Sequence, residues 1–128
     1  MRILLDTCTF LWLVVSAPEL SPAARACFAD TGNEVFLSAV SAWEIALKHE
    51  LGRLPLPEPA ARFVPAERAR RQIEELPLDE AAALGVGRLP ALHRDPFDRM
   101  LVCQAIEHGL TLLTPDPLIT QYPVRTLW

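Results

Sequence analysis

The chain has 128 residues, 51% of them apolar, and a formal net charge of −4. That length and apolar content suit a single domain over residues 1–128, with enough core to cover a central sheet with helices. The acidic balance argues against a protein that holds nucleic acid mainly by a broad basic surface. No run approaches the roughly 18 apolar residues of a membrane span, so no membrane partner is expected. Asp6 breaks the first apolar run before any signal-peptide cleavage site, and a cytoplasmic location is the expectation.

In chain order, Arg2 to Leu5 is a short apolar run that reads as a buried strand, with an apolar helix beginning near Phe10. Ser21 is placed as an N-cap with Pro22 at the first helical position, and Ala23, Ala24, Cys27 and Phe28 follow at helical spacing. Glu34 to Leu37 reads as a second strand, followed by a helix from near Ser41 to Gly52. Prolines at 55, 57, 59, 65 and 77 punctuate the next stretch, which reads as two short helices around Ala60 to Ile73. A short helix over Asp79 to Val86, a helix from Pro96 to Gly109 and a strand over Leu110 to Leu113 complete the pattern. Strands alternating with helices imply a three-layer α/β/α sandwich on a central parallel sheet, with right-handed crossovers.

Ligands of such sheets bind beyond the carboxyl ends of the strands. Asp6 ends the first strand there, and Asp116 lies two residues after Thr114, which closes the last. Glu44 follows Ser41 by three and Asp98 follows Asp95 by three, so both acids stand near helix starts at the same edge. Each has an ordinary alternative. Asp6 could cap the next helix, Glu44 could complete a capping box with Ser41, Asp98 could favour the helix dipole, and Asp116 could shape a turn between Pro115 and Pro117. Convergence weighs against those alternatives, because four acids at one edge repel one another unless a cation sits among them.

Hard carboxylate oxygens suit Mg²⁺ or Mn²⁺, and no His or Cys is placed to favour zinc. Such a site serves phosphodiester hydrolysis by activating water and stabilising charge on a phosphoryl oxygen. With those four acids set apart, the remaining 12 acids balance the 12 basic residues, 11 of them arginine. Cys8, Cys27 and Cys103 are odd in number and lack metal-ligand spacing, so they read as reduced thiols, Cys27 and Cys103 on apolar helix faces.

The segments Ile3-Leu4-Leu5-Asp6-Thr7, Ser38-Ala39-Val40-Ser41-Ala42-Trp43-Glu44-Ile45-Ala46, His93-Arg94-Asp95-Pro96-Phe97-Asp98-Arg99 and Leu112-Leu113-Thr114-Pro115-Asp116 together resemble a VapC-type PIN domain over essentially the whole chain. The resemblance implies a metal-dependent endoribonuclease that acts as the toxin of a toxin-antitoxin pair. Asp6, Glu44, Asp98 and Asp116 would form the Mg²⁺- or Mn²⁺-binding catalytic site, with Thr114 supporting it. It further implies an RNA substrate, a cognate antitoxin that occludes the site, and a homodimer. Cys8 departs from the pattern, which often carries Asn or His after the Asp-Thr pair.

Beside these acids, Asp95 reads as the N-cap before Pro96. Lys48, one turn beyond Glu44, could hold that carboxylate or touch a substrate phosphate, and Arg99 is placed similarly beside Asp98. Trp12 and Trp43 read as core, and His49, His93 and His108 form no evident acid-base constellation. A Mg²⁺-dependent phosphotransfer or signalling domain also places aspartates at strand ends, but its paired acids are absent here, since Thr7 and Cys8 follow Asp6. A catalytically silent PIN-fold binding module would have lost one or more of the four acids, and none is lost.

Overall fold

The three apolar runs at 2–5, 34–37 and 110–113 form the middle of a five-stranded parallel sheet in the computed structural model, which describes residues 1–128. Its strands are β1 (Arg2–Leu5), β2 (Glu34–Ser38), β3 (Glu74–Leu76), β4 (Thr111–Leu113) and β5 (Thr126–Leu127), in the order β3-β2-β1-β4-β5. Helices α1 (Thr7–Val15), α2 (Pro22–Ala29), α3 (Ala39–Glu50), α4 (Ala60–Arg70), α5 (Glu80–Leu84), α6 (Pro96–His108) and α7 (Pro117–Thr120) connect them. No helix is long and apolar enough to cross a membrane.

Alternation along the strands divides the core. Ile3, Leu5, Val35, Leu37 and Leu113 face Phe10, Ala24, Ile45, Phe63 and Val64 of helices α1 to α4. Leu4, Phe36 and Leu112 face Leu101, Val102 and Ala105 of α6 and Ile119 of α7. Successive strand side chains point to opposite faces, so consecutive apolar residues require helices on both sides. The expected α/β/α arrangement results. Full burial of each large aliphatic side chain contributes about 1.5–3 kcal/mol.

Several local signals act as read. Ser21 Oγ accepts the Ala24 N–H at 2.9 Å to cap α2, and Asp95 caps α6. Gly109 ends α6 at φ 64, a left-handed conformation that suits glycine. Cys27 and Cys103 are buried.

Other boundaries differ. Helix α1 begins at Thr7, directly after Asp6, rather than near Phe10. Helix α3 begins at Ala39, because Ser38 at the end of β2 accepts the Val40 N–H at 2.9 Å and caps it in place of Ser41. One helix, α4, runs through Pro65 where two were expected. The proline forfeits one intrahelical bond, and burial of the adjacent Phe63 and Val64 holds the helix together. Strands β3 and β5 were not anticipated.

Candidate active site

Pairing of Leu5 with Leu113 brings the two central strands out of the sheet side by side, and Asp6 and Thr114 follow them. Thr114 is buried, and its hydroxyl donates to Asp6 Oδ2 at 2.8 Å while its oxygen accepts the Asp116 N–H at 3.1 Å. Asp116 in turn caps α7 through Oδ1, which accepts from the Leu118 N–H at 2.9 Å. One threonine therefore spaces two acids. Thr9 adds a further tie, donating its hydroxyl to the Leu113 carbonyl at 2.8 Å.

Glu44 comes from the second turn of α3, since that helix starts at Ala39, so the capping-box alternative with Ser41 is not realised. Ser41 instead accepts the Thr7 hydroxyl at 2.8 Å, a buried bond that fixes the start of α1 against α3. The Glu44 side chain is 8% exposed, and its Oε2 pairs with Lys48 Nζ. Its Oε1 is buried with no hydrogen-bond partner. Ser38 donates its hydroxyl to Oε1 of Gln104, whose Nε2 donates to the Pro77 carbonyl at 3.2 Å. That buried amide joins the end of β2 to α6.

Asp98 stands in the first turn of α6. Asp95 Oδ1 accepts the N–H groups of Phe97 at 2.9 Å and Asp98 at 3.0 Å, so Asp95 acts as a cap. Asp98 directs Oδ2 to His93 Nε2 at 3.2 Å. Reading of the sequence missed this histidine. It lies in the loop before α6, and only the fold brings its other ring nitrogen to Tyr122, 29 residues away. Arg99 is engaged elsewhere, donating to the carbonyls of Pro90 and His93 and to Tyr122 Oη. His108 pairs with Asp79, and that partner holds the Asp79 carboxyl below its ordinary range.

The acids lie in one another's field. Burial pushes the Asp6 carboxyl up to about 6, with Glu44 and Asp116 adding to the shift and Thr114 opposing it. Burial pushes Asp98 up to about 7, reinforced by Asp95, Asp6 and Asp116 and opposed by His93. Partial desolvation and the charges of Asp6 and Glu44 push the Cys8 thiol up to about 11, the opposite of an activated nucleophile. Lys48 is raised by its bond to Glu44.

No three His, Cys, Asp or Glu side chains are drawn together at metal-ligating distance. Three of the acids are instead held by neighbouring side chains, Asp6 by Thr114, Glu44 by Lys48 and Asp98 by His93, and Asp116 accepts the Leu118 N–H. The donor set nevertheless fits a hard divalent cation. It consists of carboxylate oxygens, two of the carboxyls are raised by burial and by neighbouring acids, and one buried oxygen lacks a partner.

Trp12 is half-buried and packs on Trp128 with ring centroids 5.8 Å apart. Trp43 is not core. It is 60% exposed and meets Phe97 edge-on at 4.8 Å, because α3 turns Glu44 inward and its neighbour outward.

The PIN domain family matches residues 3–124, and the chain belongs to that family. It is similar to Ribonuclease VapC16 of Mycobacterium tuberculosis, with 47% identity over 57 residues that cover 44% of this chain and 40% of that protein. It is also similar to Ribonuclease VapC22 of the same organism, with 28% identity over 115 residues covering 89% of this chain and 86% of that protein. Among solved structures, VapBC2 from Rickettsia felis bound to a promoter DNA fragment aligns with a TM-score of 0.75 at 16% identity, covering 100% of this chain and 99% of that one. FitAcB from Neisseria gonorrhoeae aligns with a TM-score of 0.63 at 23% identity, covering 98% of this chain and 96% of that one. The structural likenesses establish the fold.

Proposed function

We propose that this chain is a metal-dependent endoribonuclease, the toxin of a toxin-antitoxin pair, and that Asp6, Glu44, Asp98 and Asp116 hold Mg²⁺ or Mn²⁺ for hydrolysis of RNA phosphodiester bonds. The observation that carries the reading is Glu44. A carboxylate oxygen buried without a partner is costly, and it is tolerated beside Asp6 and Asp98, both raised by burial, where a cation completes the set. Similarity to the two VapC ribonucleases supports the choice of reaction.

A divalent cation held by these carboxylates would supply Lewis-acid chemistry, activating water and offsetting charge on the phosphate. The protein's part is placement. Thr114 keeps Asp6 and Asp116 at a fixed separation, and the Thr7–Ser41 bond sets α3, and with it Glu44, against the end of β1. Lys48 neutralises Glu44 and is itself 44% exposed, which leaves it within reach of a substrate phosphate. Asp95 supports the start of α6. Arg99 acts through Tyr122 rather than by touching RNA.

Antitoxin binding and a homodimer belong to the same proposal. They are supported by the VapBC and FitAcB neighbours and by the short, apolar, proline-rich stretch at 51–65 as a contact surface. Light scattering at high micromolar concentration checks the dimer, and a strict monomer contradicts it. The activity is tested by incubating the purified protein, free of partner, with structured RNAs in Mg²⁺, Mn²⁺ or EDTA. Fragments that need the metal are expected. Intact RNA in all three would favour a silent binding module.

A further inference from the structure

Tyr122 is 3% exposed, and three groups approach its phenolic oxygen. These are the His93 backbone N–H at 3.2 Å, an Arg99 guanidinium N–H at 3.0 Å and His93 Nδ1 at 2.7 Å. The first two can only donate. A phenolic oxygen has two acceptor sites and one proton of its own, so the third contact has the phenol donating to an unprotonated Nδ1. A neutral imidazole that accepts at Nδ1 carries its proton on Nε2. Nε2 is the nitrogen 3.2 Å from Asp98 Oδ2, and it therefore donates to the carboxylate.

We infer that His93 is a positioning residue for Asp98: a relay running Arg99 to Tyr122 to His93 locks the imidazole as its Nε2–H tautomer and aims that proton at the Asp98 carboxylate. The opposite tautomer would set a nitrogen lone pair against the carboxylate and push it away. The relay joins the loop before α6, the first turns of α6 and the segment after α7, so three separate stretches fix one carboxylate. The His93 side chain is 9% exposed, which shields the bond from competing water. Only Oδ2 is engaged this way, and Oδ1 remains for a ligand. Partners of this kind, bound to a ligating side chain rather than to the metal, orient the ligand and typically govern metal affinity by about 10–100-fold.

The inference rests on the reading of Asp98 as one of the working acids, and two measurements separate the two claims. In metal-free protein carrying ¹⁵N-labelled histidine, the ring-nitrogen shifts of His93 should report a proton on Nε2 and none on Nδ1. The Tyr122→Phe variant should lose that preference. A wild-type ring protonated on Nδ1, or a tautomer unchanged by Tyr122→Phe, overturns the relay whether or not the protein cuts RNA.

The second measurement is a titration with Mn²⁺ alone. His93→Ala should weaken binding about 10–100-fold. His93→Gln, whose side-chain amide N–H can replace Nε2–H, should stay within about threefold of wild type on the same scale. Equal losses in the two variants, with melting temperatures matched, make His93 merely structural and overturn the inference. If the wild type binds no Mn²⁺, the metal-site reading fails, and the ring shifts still decide the relay.

Discussion

Thr114 donates its hydroxyl to Asp6 Oδ2 across 108 residues of chain, and the same oxygen receives the Asp116 N–H. The bond exists because β1 and β4 are neighbours in register, so the residue after one strand meets the residue after the other.

Replacing Thr114 by Val keeps the shape and removes both bonds. Asp6 loses a partner at a buried position, at a cost of about 1–3 kcal/mol, and the half-buried Asp116 N–H loses one as well. The Asp6 carboxyl also rises further above about 6, since the Thr114 bond lowers it. We expect Thr114→Val to be destabilised in urea titrations and to lose most RNA cleavage, while Thr114→Ser keeps both. A stable, fully active Thr114→Val would remove the threonine from the site.

Metal-free protein should lose stability as the pH rises. Asp6 and Asp98 have folded-state values of about 6 and about 7 against an ordinary 3.8, so the folded form holds their protons more tightly than the unfolded form. Their contribution is complete below about pH 4 and is lost as the pH passes through 6 and 7, with no further change from these groups above about 8. Asp6 alone contributes about 3 kcal/mol at most. Thermal melts in EDTA should therefore fall from pH 5 to pH 8, and Mg²⁺ or Mn²⁺ at pH 8 should restore much of the loss. Melts that rise over that window would contradict the buried-acid account.

Most of the central sheet is legible in the sequence, because β1, β2 and β4 carry consecutive buried apolar residues, Ile3 to Leu5, Val35 to Leu37 and Leu112 to Leu113, and a strand covered on both faces reads that way. Strand β3 escapes notice because Glu74 and Glu75 are exposed at the sheet edge and only Leu76 is buried. Strand β5 is two residues long. Three of the acids can be placed from strand ends and the Asp95 cap, but Glu44 is placed one turn wrong, because Ser38 at the end of β2 caps α3 while Ser41 is taken up by the buried bond from Thr7. His93 could not be recognised by spacing, since its role depends on Tyr122 arriving from the far end of the chain.

Lys48→Met should test the one cation paired with the acids. The long apolar stem is retained, but Glu44, 8% exposed, loses its counter-charge. Allowing for the 44% exposure of Lys48, the metal-free protein should lose about 1 kcal/mol. The double variant Glu44→Gln, Lys48→Met should recover that stability without recovering cleavage. A double variant no more stable than Lys48→Met would show that the lysine does not serve to balance Glu44.

Asp95 and Asp98 are three residues apart and do different work. Asp95 precedes Pro96, sits in extended conformation at φ −62, ψ 113, and accepts two backbone N–H groups through Oδ1. Asp98 lies within the first turn of α6, 15% exposed, in the field of Asp6 and Asp116. Asn is about as good an N-cap as Asp, so Asp95→Asn should keep the helix start and substantial cleavage, while Asp95→Ala should lose about 1 kcal/mol of stability. Asp98→Asn keeps size and a hydrogen-bonding oxygen for His93 but removes the charge that attracts a cation, and it should fold normally and cut no RNA. It should even melt higher than wild type in EDTA at pH 8, because the buried charge is gone. Cleavage rates and melting temperatures of the three variants decide the matter: an active Asp98→Asn, or a dead but well-folded Asp95→Asn, would reverse the two roles.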